Sequence, residues 1–175
     1  CGSPDELKRS ATALASDSFI AYSTWKWSDA HANTSGHPVF RYLYSRPRPP
    51  MTPEFGDAVA ALAGGVVRGE EAEAMRMPPA TGAVHSAEIE YALGNLATNK
   101  VYAWTEEDYA LSELMQQYFA NFVRLGDPNG EGLPAWPAIN RSDPPQVMIL
   151  DVESRAVPEQ HRARYLILES IYSGS

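Results

Sequence analysis

Apolar side chains at Leu111, Leu114, Met115, Tyr118, Phe119, Phe122 and Val123 recur at i, i+3, i+4, i+7, i+8, i+11 and i+12, which predicts an amphipathic helix over Thr105–Leu125. Thr105-Glu106-Glu107-Asp108 has the form of a capping box with acids in the first turn, and Arg124, Gly126 and Pro128 mark the stop. The stripe reads as core rather than as a cofactor surface. Glu6–Ala32 is also helix-favouring, with Phe19, Tyr22 and Trp25 on one face and Ile20, Trp27 and His31 near another. That pattern predicts burial on both sides, with Ser16 or Asp17 capping the second half. Val39–Tyr44, β-branched and aromatic between turn residues, predicts a strand. Between Arg46 and Val84, prolines 47, 49, 50, 53, 78 and 79 and glycines 56, 64, 65 and 69 break every period and leave at most a short helix around Asp57–Ala63. A connection of that length draws attention to what it delivers, Gly82-Ala83-Val84-His85. Beyond it, Ser86–Leu93 predicts two helical turns, Gln146–Asp151 with Arg155–Val157 a hairpin, and about Glu159–Tyr172 a last helix. Helix leading into strand is α/β grammar.

The 175 residues are enough for one compact unit, 1–175, and no repeat or linker divides them. Fourteen basic against 22 acidic residues give a net charge of −8, which repels phosphate backbones and excludes a nucleic-acid role. No apolar window approaches the roughly 18 residues a membrane helix needs. The single cysteine, Cys1, forbids an internal disulfide and a multi-cysteine zinc site. Cys1-Gly2-Ser3 has the form of a processed bacterial lipoprotein terminus, which would mean lipid anchoring through Cys1 and a secreted or periplasmic setting. Without an apolar signal segment the compartment stays open.

No G-x-G-x-x-G or P-loop occurs, and His31, His37, His85 and His161 lack H-E-x-x-H spacing, so neither a cofactor nor a metal is expected. His85 and Glu88 make one H-x-x-E pair, where a dinuclear carboxylate site takes two. His85 is the candidate catalytic residue. As an isolated imidazole in a polar turn it leaves the chemistry undecided.

The stretch Gly82-Ala83-Val84-His85-Ser86-Ala87-Glu88-Ile89-Glu90-Tyr91-Ala92-Leu93-Gly94-Asn95-Leu96 resembles the segment around the catalytic histidine of type B carboxylesterases, the cholinesterase-like branch of the α/β-hydrolases. The likeness continues in order upstream, through Ser18-Phe19 and Pro38-Val39-Phe40-Arg41-Tyr42. Downstream it runs through Tyr118-Phe119-Ala120-Asn121-Phe122, Gly126-Asp127-Pro128-Asn129-Gly130 and Leu133-Pro134-Ala135-Trp136-Pro137. It covers about residues 16–170.

The resemblance implies the C-terminal part of an α/β-hydrolase fold, mostly helical, with one late sheet strand at Val39–Tyr44 and a C-terminal β-hairpin. It implies hydrolysis of a small carboxylic ester by a serine triad in which His85 is the general base and acid. The departure is the nucleophile: no serine here has the G-x-S-x-G setting. In α/β-hydrolases the triad runs serine, acid, histidine along the chain, so the elbow and the acid are expected in an N-terminal remainder of the same esterase, and the chain alone should be inactive. Glu88, three residues after His85, is placed poorly for the triad acid and reads as a structural carboxylate; Asp108 and Asp127 read as capping and turn residues. The alternative is a non-catalytic interaction module that keeps the esterase-like fold.

Overall fold

The computed structural model describes residues 2–61, 65–76 and 82–174. Cys1, and with it the anchoring expectation, lies outside the described residues, as do parts of the proline-broken segment. The chain forms two compact units, one of 1–41, 137–147 and 157–175, the other of 42–136 and 148–156.

The first unit opens with helix α1 (Pro4–Ser16), capped by a Ser3–Glu6 box in which Glu6 N–H donates to Ser3 Oγ at 3.3 Å and Ser3 N–H to Glu6 Oε2 at 2.6 Å. One wide turn at Asp17–Ala21 carries the helix on into α2 (Tyr22–Thr34) without a fresh start. Asp17 is therefore not a cap. It is buried and ion-paired with Arg164 at 2.9 Å, on the closing helix of the chain. Nor is this helical stretch buried on both sides: Trp25 is enclosed, whereas Phe19, Ile20 and Trp27 are exposed. The enclosed side packs on that closing helix, with ring pairs Trp25–Tyr165 and Tyr22–Tyr172 at 5.4 and 5.3 Å and the Arg162 guanidinium 5.2 Å over Trp25. Arg162 also reaches Asp29 at 2.6 Å, and Lys26 pairs with Glu169.

Most of a small sheet lies in the second unit. The expected strand narrows to β1 (Tyr42–Tyr44). In the other unit, Val39 spends its backbone on the 139–140 turn instead, donating to Asn140 Oδ1 at 3.1 Å and accepting from Ile139 N–H at 2.8 Å, so it joins no ladder. The proline-rich segment is more ordered than its composition suggests. It holds two antiparallel strands, β2 (Val59–Ala60) and β3 (Val66–Val67), then a short helix α3 (Glu70–Met75). Strand β2 falls where a helix at Asp57–Ala63 is expected, and Leu62 and Ala63 lie outside the described residues. A turn at 85–88 leads into α4 (Ile89–Ala92), and α5 (Glu106–Leu125) follows with the expected capping box at Thr105–Asp108 and a left-handed Gly126 as its stop. Leu111, Met115 and Tyr118 are buried, while Phe122 and Val123 at the far end of the stripe are exposed. Strands β4 (Gln146–Leu150) and β5 (Arg155–Pro158) complete a three-stranded sheet of order β1–β4–β5, and helix α6 (Arg162–Ser173) closes the chain. Strand β1 runs parallel to β4 with Tyr42, Leu43 and Tyr44 opposite Met148, Ile149 and Leu150. Parallel pairing of strands distant in sequence, with helices supplying most of the rest, is a partial α/β fold. Among the described residues no helix is long and apolar enough to cross a membrane.

Candidate functional site

His85 lies on a tight turn closed by Ala87 N–H donating to Val84 O at 3.1 Å. The next residue, Ser86, takes φ = 64°, a left-handed backbone that side chains other than glycine adopt at a cost of roughly 1–2 kcal/mol. Ala87 is fully buried while His85 is exposed, so the turn is fastened by its fourth residue and presents its second. Strained backbone of this kind persists where the surrounding structure over-determines it, which happens at functional sites.

The fastening continues through α4. Tyr91 is fully buried, with its ring 5.4 Å from Tyr44 of β1 and 5.7 Å, edge-on, from Trp104. Its hydroxyl donates to Asp108 Oδ1 at 2.9 Å in the first turn of α5. Asp108 is fully enclosed and also accepts from Arg46 Nε at 2.9 Å and from the Thr105 N–H and hydroxyl, each at 2.8 Å. Burial pushes the Asp108 carboxyl up, but Arg46 first and then Thr105 and Tyr91 outweigh it and hold the group below the ordinary aspartate range. Burial raises the neighbouring Tyr91 hydroxyl to about 12 and the Tyr44 hydroxyl further. On the other side of α4, Glu90 pairs with Arg48 at 2.9 Å and accepts from Asn99, and the Arg48 guanidinium lies 5.0 Å over the Tyr102 ring.

Glu88 is partly exposed, and after burial its charge is what raises the Tyr42 hydroxyl. Asp108 serves as the expected cap. Asp127 closes a turn by accepting from Asn129 N–H at 2.9 Å and Asn129 Nδ2 at 2.7 Å. The quoted downstream motifs form a clasp on the far half of α5. Tyr118 donates to Pro134 O at 2.6 Å and meets Trp136 edge-on at 5.1 Å, Asn121 donates to the carbonyls of Pro128 and Asn129, and Asn129 Oδ1 accepts from Trp136 N–H at 2.7 Å. His31, His37 and His161 belong to the other unit, and among the described residues no three His, Cys, Asp or Glu side chains could together hold a metal ion. An open depression of about 380 Å³ is lined by Thr52, Glu54, Lys100, Tyr102, Trp104 and Tyr109, among others, but not by His85. What the sequence reading missed is the Arg46–Asp108–Tyr91 network; its only signal was an aspartate with a second role inside a capping box.

Residues 2–166 match the family model described as the carboxylesterase family. Carboxylesterase 4A of Bos taurus is 31% identical over 149 residues, which span 85% of this chain and 22% of that protein. The pyrethroid hydrolase Ces2e of Rattus norvegicus is 42% identical over 76 residues, 43% of this chain and 13% of that protein. Among solved structures, a PNB esterase aligns over 74% of this chain and 22% of its own at 23% identity, with a TM-score of 0.47. The chain corresponds to a minor share of each relative's length.

Proposed function

The chain belongs to the carboxylesterase family, and we propose that it supplies the general-base histidine, His85, to a serine esterase acting on small carboxylic esters. The observation that carries this reading is the exposed imidazole on a left-handed turn whose flanking residues, Ala87 and Tyr91, are both fully buried. An acid–base group must be open to its reacting partner yet firmly placed, and an exposed side chain on a turn with buried neighbours supports that reading.

The serine and the triad acid would come from an N-terminal remainder of the same esterase, since no G-x-S-x-G occurs in this sequence. Neutral His85 takes the serine proton as the hydroxyl oxygen attacks the ester carbonyl. It then gives that proton to the departing alcohol as the acyl–serine bond remains. In the second half it takes a proton from water, whose oxygen attacks the acyl carbon, and returns it to the serine as the carboxylic acid leaves. The acid residue holds the imidazole tautomer, and backbone N–H groups of the remainder stabilise the oxyanion.

The test compares the esterase assembled from both parts with its His85→Ala form. Loss of turnover by on the order of 10⁴ is expected. Undiminished hydrolysis by His85→Ala would end the assignment. This chain by itself should hydrolyse no p-nitrophenyl ester.

A further inference from the structure

Helix α5 carries a line of polar side chains at positions 108, 112 and 116, one turn apart, alongside the apolar stripe of this amphipathic helix. Asp108 and Ser112 are 0% and 3% exposed. Each engages α4 or its flank. Asp108 accepts from the Tyr91 hydroxyl at 2.9 Å, and Ser112 Oγ donates to the Tyr91 carbonyl at 2.7 Å. Gln116, held by donating to Ser112 O and Oγ at 3.2 and 3.3 Å, lies so close to Gly94 that a Cβ there would be 2.3 Å from its Oε1. One residue, Tyr91, is thus gripped at both ends, by side-chain oxygen and by backbone oxygen, six residues after His85.

Buried polar groups are costly unless satisfied and directional once satisfied, so this seam fixes a register between α4 and α5 that apolar packing alone would leave free to slide. We infer that the polar seam of Tyr91, Asp108 and Ser112 sets the position of the His85 turn, making Tyr91 and Ser112 positioning residues for its proton transfer. The inference rests on the esterase reading given above. Its geometry has a simple logic: the left-handed Ser86 gives the turn a fixed shape, and the seam gives it a fixed place. Displacement of an acid–base group by about 1 Å can cost 10²-fold in rate.

The test uses the assembled esterase. Tyr91→Phe keeps the ring that packs on Tyr44 and Trp104 and removes only the oxygen that meets Asp108. Ser112→Ala removes the other grip, and Ser112→Thr restores a hydroxyl. Tyr91→Phe and Ser112→Ala should each lower kcat by roughly 10-fold to 10²-fold with KM within about twofold, and speed amide exchange over residues 84–93 more than over the far half of α5. Ser112→Thr should recover kcat. Unchanged kcat in both variants, alongside an inactive His85→Ala enzyme, overturns the positioning role and leaves the esterase reading intact. A uniform loss of protection across α5, or a loss of activity that Ser112→Thr does not recover, makes the seam structural only and overturns it too. An active His85→Ala enzyme overturns both.

Discussion

Replacing Arg46 with Met isolates the electrostatic half of the buried network. Arg46 meets Asp108 at 2.9 Å and the exposed Glu107 at 3.1 Å, and its own side chain is 19% exposed whereas Asp108 is fully enclosed. Methionine keeps most of the aliphatic stem, so the change removes charge and hydrogen bonds more than packing. Breaking a fully buried pair costs about 3–5 kcal/mol; the three hydrogen bonds left on Asp108 and the partial solvation of Arg46 bring the expected loss to about 2–3 kcal/mol. For a chain of this size that is a fall in Tm of roughly 5–10 °C. The pH dependence separates this cause from lost packing. Asp108 has a depressed carboxyl, so its contribution is present above the unfolded aspartate value and is lost as pH falls through the folded one. In Arg46→Met the carboxyl titrates higher. The gap between the two proteins should be full near pH 7, then close as pH falls through the variant's Asp108 value and next the wild-type one. Urea unfolding from about pH 7 down to about pH 3 reads this directly. A gap that stays the same over that range would refute the electrostatic account and leave a packing defect.

Met115→Ala empties a fully buried position on α5 and should cost about 2–5 kcal/mol in urea unfolding, whereas Val123→Ala, at 84% exposure, should lie within about 0.5 kcal/mol of wild type. Ser86→Gly relieves the left-handed turn and should raise stability by up to about 1 kcal/mol, and Ser86→Val should lower it; the reverse order in thermal unfolding would show the turn is not strained. Gly94→Ala meets both φ = 66° and the Gln116 amide, and should lose about 1–2 kcal/mol. Because that amide is the end of a flexible side chain, adding Gln116→Ala should recover little, which a double-mutant cycle by urea unfolding would measure.

The most legible element was α5, because a seven-member apolar stripe, a capping box and a glycine stop all spoke for the same helix. The stripe did not tell where its partner surface ended, so Phe122 and Val123 read as core and are exposed. The same blindness affected Phe19, Ile20 and Trp27, since periodicity marks a face as apolar without naming what covers it. Asp17 looked like a cap because a short acid inside a helical stretch has that use most often; its ion pair with Arg164 spans 147 positions and leaves no local trace. The candidate site shows the same limit. His85 came from resemblance to a family segment rather than from spacing, Ser86 gave no sign of its backbone because serine is not a residue that announces φ > 0, and Arg46 stood in a run of prolines 62 positions from the aspartate it neutralises.

The Asn129 amide holds its loop as a double-sided latch, its nitrogen donating to Asp127 Oδ1 and to the Trp136 carbonyl. It also precedes Gly130, the neighbour beside which asparagine most readily sheds ammonia. Loss of ammonia as the backbone nitrogen closes on the amide, followed by hydrolysis of that ring by water, would replace the latch's two donor hydrogens with a negative charge facing one carboxylate and one carbonyl oxygen. The resulting repulsion gives the loop a chemical clock, readable as an acidic species on ion exchange whose 127–136 peptide is opened to protease.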